Sequence, residues 1–457
     1  MGLLATKDLK VGSFYTLNLK AFWKLPCVVK AAGYNNVQAA FPTAMVQVET
    51  NLYPWDKIQS DRILSFVDSD RGARFMIPVG VAVDADELAK PPLSAFFATL
   101  SHGVVSSGCD PEIFVVDGRN RLIPAFEFLS SKDEAPFHDC HVYTNGNGHL
   151  SYTKKTGKTY WDGFQAEFTT QPIGCHGYAF DMVRAGLLAI QRQAVKYSPN
   201  AKLSLKSVFR IPESTLQLAE PQYVALGCDP SANAYDAAPF TVENPRHLPY
   251  RVAGGHLHFA IAKSRRDQIP GMVKALDLLT GIPTVAMFAD IDDPLRRQFY
   301  GKAGEYRTPA HGLEYRVLSN AWLGHPAVGH MVWDLARQCV AFGELAIPYE
   351  DFNTSVDAVQ EIINTCDVKA ARKMVAANKN VWAKVMGRVS WGHNPKATES
   401  FFDVVAGGVE SLFPDYRKIE TNWNLAGRWN YHTNGMAASW NSHCNRLVKS
   451  VQVAVTK

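Results

Sequence analysis

The chain has 457 residues, 47% of them hydrophobic and 20% charged, and a formal net charge of +4 at pH 7. This is ordinary globular composition, long enough for two or three domains with a large core, and the charge is too small to argue for nucleic acid. No apolar run reaches the ~18 residues of a membrane span, and the N-terminus lacks a basic stretch followed by an apolar one. The eight cysteines include no Cys-x-x-Cys pair, and several stand among apolar residues as reduced core cysteines do. A soluble, cytoplasmic protein that binds neither nucleic acid nor membrane is the expectation.

Residues 1–95 read as a small β-rich domain. Ser13–Leu19, Cys27–Val29, Val37–Phe41 and Met45–Val48 are short, β-prone and divided by Gly, Asn and Pro, as in a compact barrel or meander. Two prolines make Leu88–Ser94 a linker. Residues 96–345 mix strands and helices and form the expected catalytic domain. Its helices fall over Tyr178–Tyr197, from Pro270 to Leu279 with Gly281 as the stop, and from Pro326 to about Leu345. Residues 346–457 read as a helical C-terminal region, with helices over Ser355–Thr365 and Val368–Val389 and a tail rich in tryptophan (Trp423, Trp429, Trp440). The fold class is α+β, an antiparallel or mixed sheet with helices on one side.

Four signatures in the middle region carry the chemistry: Gly108-Cys109-Asp110-Pro111-Glu112, Asp162 to Phe168 around Glu167, Gly254-Gly255-His256-Leu257-His258, and Arg307 followed by Gly312-Leu313-Glu314-Tyr315-Arg316. Residues two apart on a strand share a face, roughly 6.5–7 Å from each other. Asp110 with Glu112, His256 with His258 and Glu314 with Arg316 therefore read as same-face pairs. Burying such charges is prohibitive unless they meet a metal, an anion or each other. The economical reading is one sheet whose face holds divalent metal and phosphate.

Asp110, Glu112 and Glu167, with Asp162 nearby, form a carboxylate-rich set suited to Mg²⁺ or Mn²⁺ bound together with nucleotide phosphates. The plainer alternative is a surface turn, but Ile113–Val116, Phe164 and Phe168 flank these acids with residues of buried type. His256 and His258 could be a zinc pair, yet the accompanying carboxylates favour a harder metal, with one His as ligand and the other as a phosphate or substrate donor. Arg307 and Arg316 are of the type that grips phosphoryl oxygens, against the alternative of an ion pair with Glu314. Lys302, Arg296 and Arg297 lie just upstream and read as part of the same anion-binding edge. Gly227-Cys228-Asp229-Pro230 echoes the first signature without its Glu and reads as a pocket-shaping turn. No phosphate-binding loop of the P-loop or dinucleotide type occurs.

In this order the signatures resemble the glutamine synthetase-like carboxylate–amine ligases, most closely the phage-encoded group described as COOH-NH2 ligases of type 2. The likeness spans about residues 100–325. It implies that Asp110, Glu112, Glu167, His256 and Glu314 hold two Mg²⁺ or Mn²⁺ ions. By the same resemblance His258 stands beside the nucleotide, and Arg307 and Arg316 meet phosphate and carboxylate; Lys302, on the anion-binding edge, reads as a further nucleotide contact. Asp110 replaces the family's first Glu, Leu313 stands where an Arg is usual, and no second carboxylate follows Glu167. The implied reaction is ATP-dependent amide formation through an acyl phosphate, with a small-molecule or peptide acid and an amine as substrates, in the host cytoplasm if the chain is phage-encoded. Enzymes of this kind often complete their sites across a subunit boundary, so the resemblance leaves room for a homo-oligomer. The rival readings are a guanidino-type kinase on the same fold, a metal-dependent hydrolase centred on the two histidines, and an inactive phage structural or host-binding protein.

Overall fold

The computed structural model describes the strands within residues 14–82 and then residues 107–144, 149–171, 176–225, 231–236, 248–261, 263–342, 352, 354–386 and 395–427. The proposed linker Leu88–Ser94, the echo Gly227–Pro230, and Trp429 and Trp440 lie outside the described residues. The chain divides into two compact units, one of residues 1–106 with 455–457, the other of residues 107–454.

The first unit holds β1 (Phe14–Leu19), β2 (Trp23–Ala32), β3 (Asn36–Phe41), β4 (Ala44–Thr50), β5 (Ile63–Asp68), β6 (Ala73–Pro78) and β7 (Gly80–Ala82). They form one antiparallel sheet in the order β6-β5-β4-β3-β2-β1-β7. Chain neighbours pair from β1 to β6, and β7 returns to the free edge of β1.

The second unit contains β8 (Ser107–Cys109), β9 (Glu112–Val116), β10 (Leu122–Ile123), β11 (Phe137–Thr144), β12 (His149–Asp162), β13 (Gln165–Phe168) and β14 (Lys202–Ser204). After these come β15 (Val208–Arg210), β16 (Ala232–Asn233), β17 (Tyr250–Val252), β18 (Leu257–Ala260), β19 (Glu305–Arg307) and β20 (Gly312–Tyr315). One sheet runs β10-β9-β13-β12-β11 with β14 also on β9, and a second runs β16-β19-β20-β18-β8. All their pairings are antiparallel. The single strand expected to carry Asp110 and Glu112 is therefore two. Pro111 has no N–H for a ladder, so the strand breaks at Asp110-Pro111 and its halves enter different sheets.

Helix His176–Tyr197 matches its amphipathic pattern and buries Phe180, Val183, Leu187 and Ile190. The helix opening near Pro270 does not stop at Gly281. Ile269–Leu276 passes through a π-turn, Asp277–Gly281, and continues as Ile282–Met287. Pro283 lacks the N–H that an unbroken α-helix would use, and the π-turn absorbs that loss. Gly281 serves packing instead, since a Cβ there would sit 2.9 Å from Ile363 Cδ1. Val356–Thr365 starts where Ser355 Oγ accepts the Ala358 N–H at 3.1 Å and ends at left-handed Cys366. The long helix expected from Val368 is two, Val368–Ala377 and Lys379–Met386, broken at Asn378. Pro326–Phe342 crosses the core through Trp333, whose Nε1 donates to Ser107 Oγ at 2.8 Å. Trp423, read as part of a packing surface, is fully buried: it stacks on Phe180 at 5.9 Å and donates to the Leu323 carbonyl at 2.6 Å.

Arg296 and Arg297 are scaffold, not an anion-binding edge. The Arg296 guanidinium donates to the carbonyls of Val317 at 3.0 Å, Leu318 at 2.6 Å and Arg316 at 3.3 Å, while Arg297 donates to Val317 at 2.8 Å and pairs with Asp292 at 2.9 Å. Together they hold the backbone that leaves β20. Arg296→Leu removes three charge-assisted hydrogen bonds at about 1.5–3 kcal/mol each, although Val317 keeps Arg297 and Leu318 keeps the Gly255 N–H as donors. Urea unfolding is expected to register a loss of about 3 kcal/mol or more, or no folded protein.

Candidate active site

A row of acids crosses the first sheet. Glu167 on β13 stands opposite Glu112 on β9 and opposite Tyr160 on β12. Side chains directly opposed on neighbouring strands lie ~4.5–5.5 Å apart, close enough for like charges to repel strongly. Asp162, at the β12–β13 hairpin, supplies the third acid. Glu112, Asp162 and Glu167 bring one oxygen each to within 4.8 Å of one another. Two tyrosines steady the row: Tyr160 Oη donates to Glu167 Oε1, and Tyr300 Oη donates to Glu112 Oε2, which also accepts the Gly254 N–H at 2.6 Å.

A second row crosses the other sheet. His258 on β18 stands opposite Glu314 on β20, which stands opposite Arg307 on β19. Asp110, just past the end of β8, closes on this row: its Oδ1 is 2.7 Å from His258 Nε2 and 3.6 Å from His256 Nδ1. Donor atoms of Asp110, His258 and Glu314 fall within 4.8 Å of one another, and His256 Nδ1 is 3.7 Å from Glu314 Oε1. The double glycine makes this approach geometrically feasible. A Cβ on Gly254 would lie 2.2 Å from His256 Nε2 and 2.8 Å from Tyr300 Oη, and one on Gly255 would lie 2.3 Å from both the Ser319 carbonyl oxygen and Trp322 Nε1. The motif is a close-packing device as much as a ligand carrier.

The electrostatics of the two rows differ. Burial, reinforced by Glu112, pushes the Asp162 carboxyl up to about 7. Burial and then the charges of Asp110, Asp162 and Glu112 raise Glu167 well above its ordinary value. Burial alone would also raise Asp110, but His258 and His256 outweigh it and hold that carboxyl well below the usual range. His258 is disfavoured as a cation by burial, yet Asp110 and Glu314 carry its ring above the ordinary value. Asp110 acts on Glu167, and Arg307 and Arg316 act on Asp162, so the two rows share one field.

The donor set fits divalent cations. Five carboxylates and a histidine form two three-donor groups, and oxygen-rich ligation of this kind suits a hard ion. Asp110 Oδ1, His256 Nε2, His258 Nε2 and Glu314 Oε1 are buried atoms without a hydrogen-bond partner. The Asp110–His258 approach of 2.7 Å is an ion-pair distance.

All the sequence-predicted acids and histidines meet here. Arg316 is buried, with its Nε 3.1 Å from Glu314 Oε1, a hydrogen bond from Nη1 to Ser231 Oγ, and its guanidinium 5.2 Å from the Tyr300 ring centre. Arg307 is less buried, with Nη1 at 3.8 Å from Glu314. Lys302 lines a groove of about 580 Å³ with Pro294, Leu295, Arg297, Gln298, Asn364 and Thr365, none of which belongs to either acidic group. Sequence reading passed over Tyr160, Tyr300, His311 and Lys132. The exposed Lys132 Nζ lies 4.9 Å from the Tyr160 ring centre, and its charge reaches Asp162 and Glu167. Nothing in spacing or composition marks these four, because their partners are up to 188 positions away. Among the described residues, no helix is long and apolar enough to cross a membrane.

Residues 245–425 match the model of the family described as phage phiEco32-like COOH.NH2 ligase-type 2, the family the signatures resemble most closely. The matched segment contains His256, His258, Arg307, Glu314 and Arg316, while Asp110, Glu112, Asp162 and Glu167 precede it. No curated protein matches the chain.

A carboxyl whose folded-state value is raised contributes stability at low pH that is lost as pH rises through that value. For Asp162, raised from 3.8 to about 7, the loss falls between about pH 4 and 7. The metal-free protein is expected to melt at progressively lower temperature across that window. Mn²⁺ is expected to raise the melting temperature more at pH 7.5 than at pH 5, and Asp162→Asn to flatten the metal-free profile. Scanning fluorimetry with and without chelator measures all three.

Proposed function

We propose that the protein is an ATP-dependent carboxylate–amine ligase that forms an amide through an acyl phosphate, with two divalent ions, Mg²⁺ or Mn²⁺, at its two acidic groups. The observation that carries this reading is the pair of three-donor groups, each on its own sheet and joined at Asp110-Pro111. The family match supports the ligase class. Glu112, Asp162 and Glu167 would hold one ion, and Asp110, His258 and Glu314, with His256 beside them, the other. When bound, such ions neutralise charge on the phosphate oxygens as the γ-phosphoryl group leaves ATP.

The chain's own residues do the remaining work. Arg307, on the less buried end of the second row, donates its planar fork to phosphoryl oxygens. Arg316 keeps Glu314 aimed into the site and is itself held by Ser231 and the Tyr300 ring. A carboxylate oxygen of the acid substrate attacks the γ-phosphorus and ADP departs. The amine then attacks the carbonyl carbon, the carbon–oxygen bond to phosphate breaks, and the amine loses its proton. This sequence needs no protein nucleophile. Cys109, the nearest cysteine to the site in sequence, is buried with its thiol well above its ordinary value by burial. The substrates are a small-molecule or peptide acid and an amine, in a homo-oligomer or a monomer.

The test is phosphate release from ATP with Mg²⁺ across a panel of acids and amines. The ligase reading expects release that requires both partners and a new amide by mass spectrometry. Release without an amine, accompanied by a phosphorylated acceptor, would instead mark a kinase. Arg307→Lys is expected to lower kcat about 100-fold with a smaller change in the KM for ATP, as for a transition-state contact. Arg316→Lys is expected to lower the melting temperature and Mn²⁺ affinity as well, because it loosens Glu314.

A further inference from the structure

We infer that His311 is a positioning residue for the proposed metal site, accepting the Nδ1 proton of His258 and thereby keeping His258 Nε2 bare as a ligand atom; this rests on the metal reading above. His258 Nδ1 and His311 Nε2 are 3.0 Å apart, and the ring centres 5.1 Å. The other nitrogen of His258, Nε2, is the atom that faces Asp110 at 2.7 Å and has no hydrogen-bond partner. A neutral imidazole carries one proton. If Nε2 offers its lone pair to a cation, the proton must sit on Nδ1, and the acceptor in place is His311 Nε2. His311 in turn carries its own proton on Nδ1.

The backbone places His311 for this task. It ends the β19–β20 connection, where its carbonyl accepts the Ile261 N–H at 3.0 Å. The preceding carbonyl, of Ala310, accepts from the Arg266 guanidinium, and Gly312 N donates to Pro309 O at 2.9 Å. Gly312 follows at φ +144°, where a Cβ would lie 2.4 Å from Ile261 N. A tight hairpin tied to the end of β18 thus fixes an exposed histidine against the partly buried ring of His258. A ligating histidine whose second nitrogen is held in this way has its tautomer and ring orientation set before a metal arrives, and losing such a partner typically costs ~10–100-fold in metal affinity.

Mn²⁺ binding to the full-length protein, followed by electron paramagnetic resonance without nucleotide, tests the inference. His311→Ala is expected to weaken Mn²⁺ binding by about 10-fold or more. His311→Gln, whose side-chain oxygen can accept the same proton, is expected to recover most of it. In the Mg²⁺-loaded wild type, long-range ¹H–¹⁵N spectra are expected to show the His258 proton on Nδ1. Wild-type affinity in His311→Ala alongside weakened His258→Ala overturns this inference alone. A His258 proton on Nε2 in the Mg²⁺-loaded protein overturns it as well. Unchanged affinity in His258→Ala removes His258 from the metal site and the inference with it.

Discussion

Rows of like charge across neighbouring strands are the constraint on which this structure turns. Glu112 and Glu167 are paired partners on β9 and β13, both nearly buried, with Asp162 closing on them from the hairpin. Such a row repels itself at every pH at which it is ionised, and burial deepens the penalty. The structure answers with tyrosine hydroxyls on Glu112 and Glu167 and a main-chain N–H on Glu112, while burial and neighbouring charge push the Asp162 and Glu167 carboxyls above their ordinary values. A divalent cation is a stronger answer than any of these. A fold stabilised for its own sake would more simply place apolar side chains on such strands, as Ile113 and Phe114 do farther along β9.

The second row is balanced differently, and the contrast gives each its character. Asp110 and Glu314 are countered by two histidines and two arginines, so Asp110 stays ionised while Asp162 and Glu167 do not readily do so. One group therefore joins two carboxylates to a histidine, and the other is all carboxylate. The junction between them is a single residue, Pro111. By ending β8 and starting β9 it directs Asp110 into one sheet and Glu112 into the other, so one short signature feeds both groups.

The sequence was legible where chemistry is local. Residue types two apart in apolar segments identified the acids and histidines, and Gly-Gly before His256 marked a close approach. Helices with clear periodicity, such as His176–Tyr197, followed their pattern, and Ser355 marked its helix start. Elsewhere distant contacts and backbone chemistry override the local pattern. The period-two pattern implies a continuous strand through Pro111, where the ladder cannot continue. Gly281 looks like a helix stop in sequence, but tertiary contact with Ile363 explains a glycine inside a continuing helix. Arg296 and Arg297 look like anion ligands in sequence, and only the carbonyls they satisfy reveal them as scaffold. Asp162 precedes Glu167 in the chain and is no strand partner of it, yet the β12–β13 hairpin, where Asp162 pairs with Gln165, brings it to Glu112 and Glu167.

What remains is how residues so distant in the chain become one site. The Gly254 N–H meets Glu112 across 142 positions and Tyr300 Oη meets it across 188. These contacts bind the segment before residue 245, which carries four of the acids, to the matched segment that carries the histidines and arginines. Glu112 is the shared element: its backbone N–H donates to the Gly254 carbonyl at 2.9 Å while its carboxylate accepts from Gly254 and Tyr300. Tyr300 in turn lies under both Arg296, which holds the exit of β20, and Arg316, which holds Glu314. The acid that belongs to one group is thereby wired through Tyr300 and Arg316 to an acid of the other. Contacts between residues so far apart in sequence carry the entropic cost of closing long loops. The all-carboxylate group lies wholly in the segment before residue 245, whereas the group of Asp110, His258 and Glu314 draws on both segments.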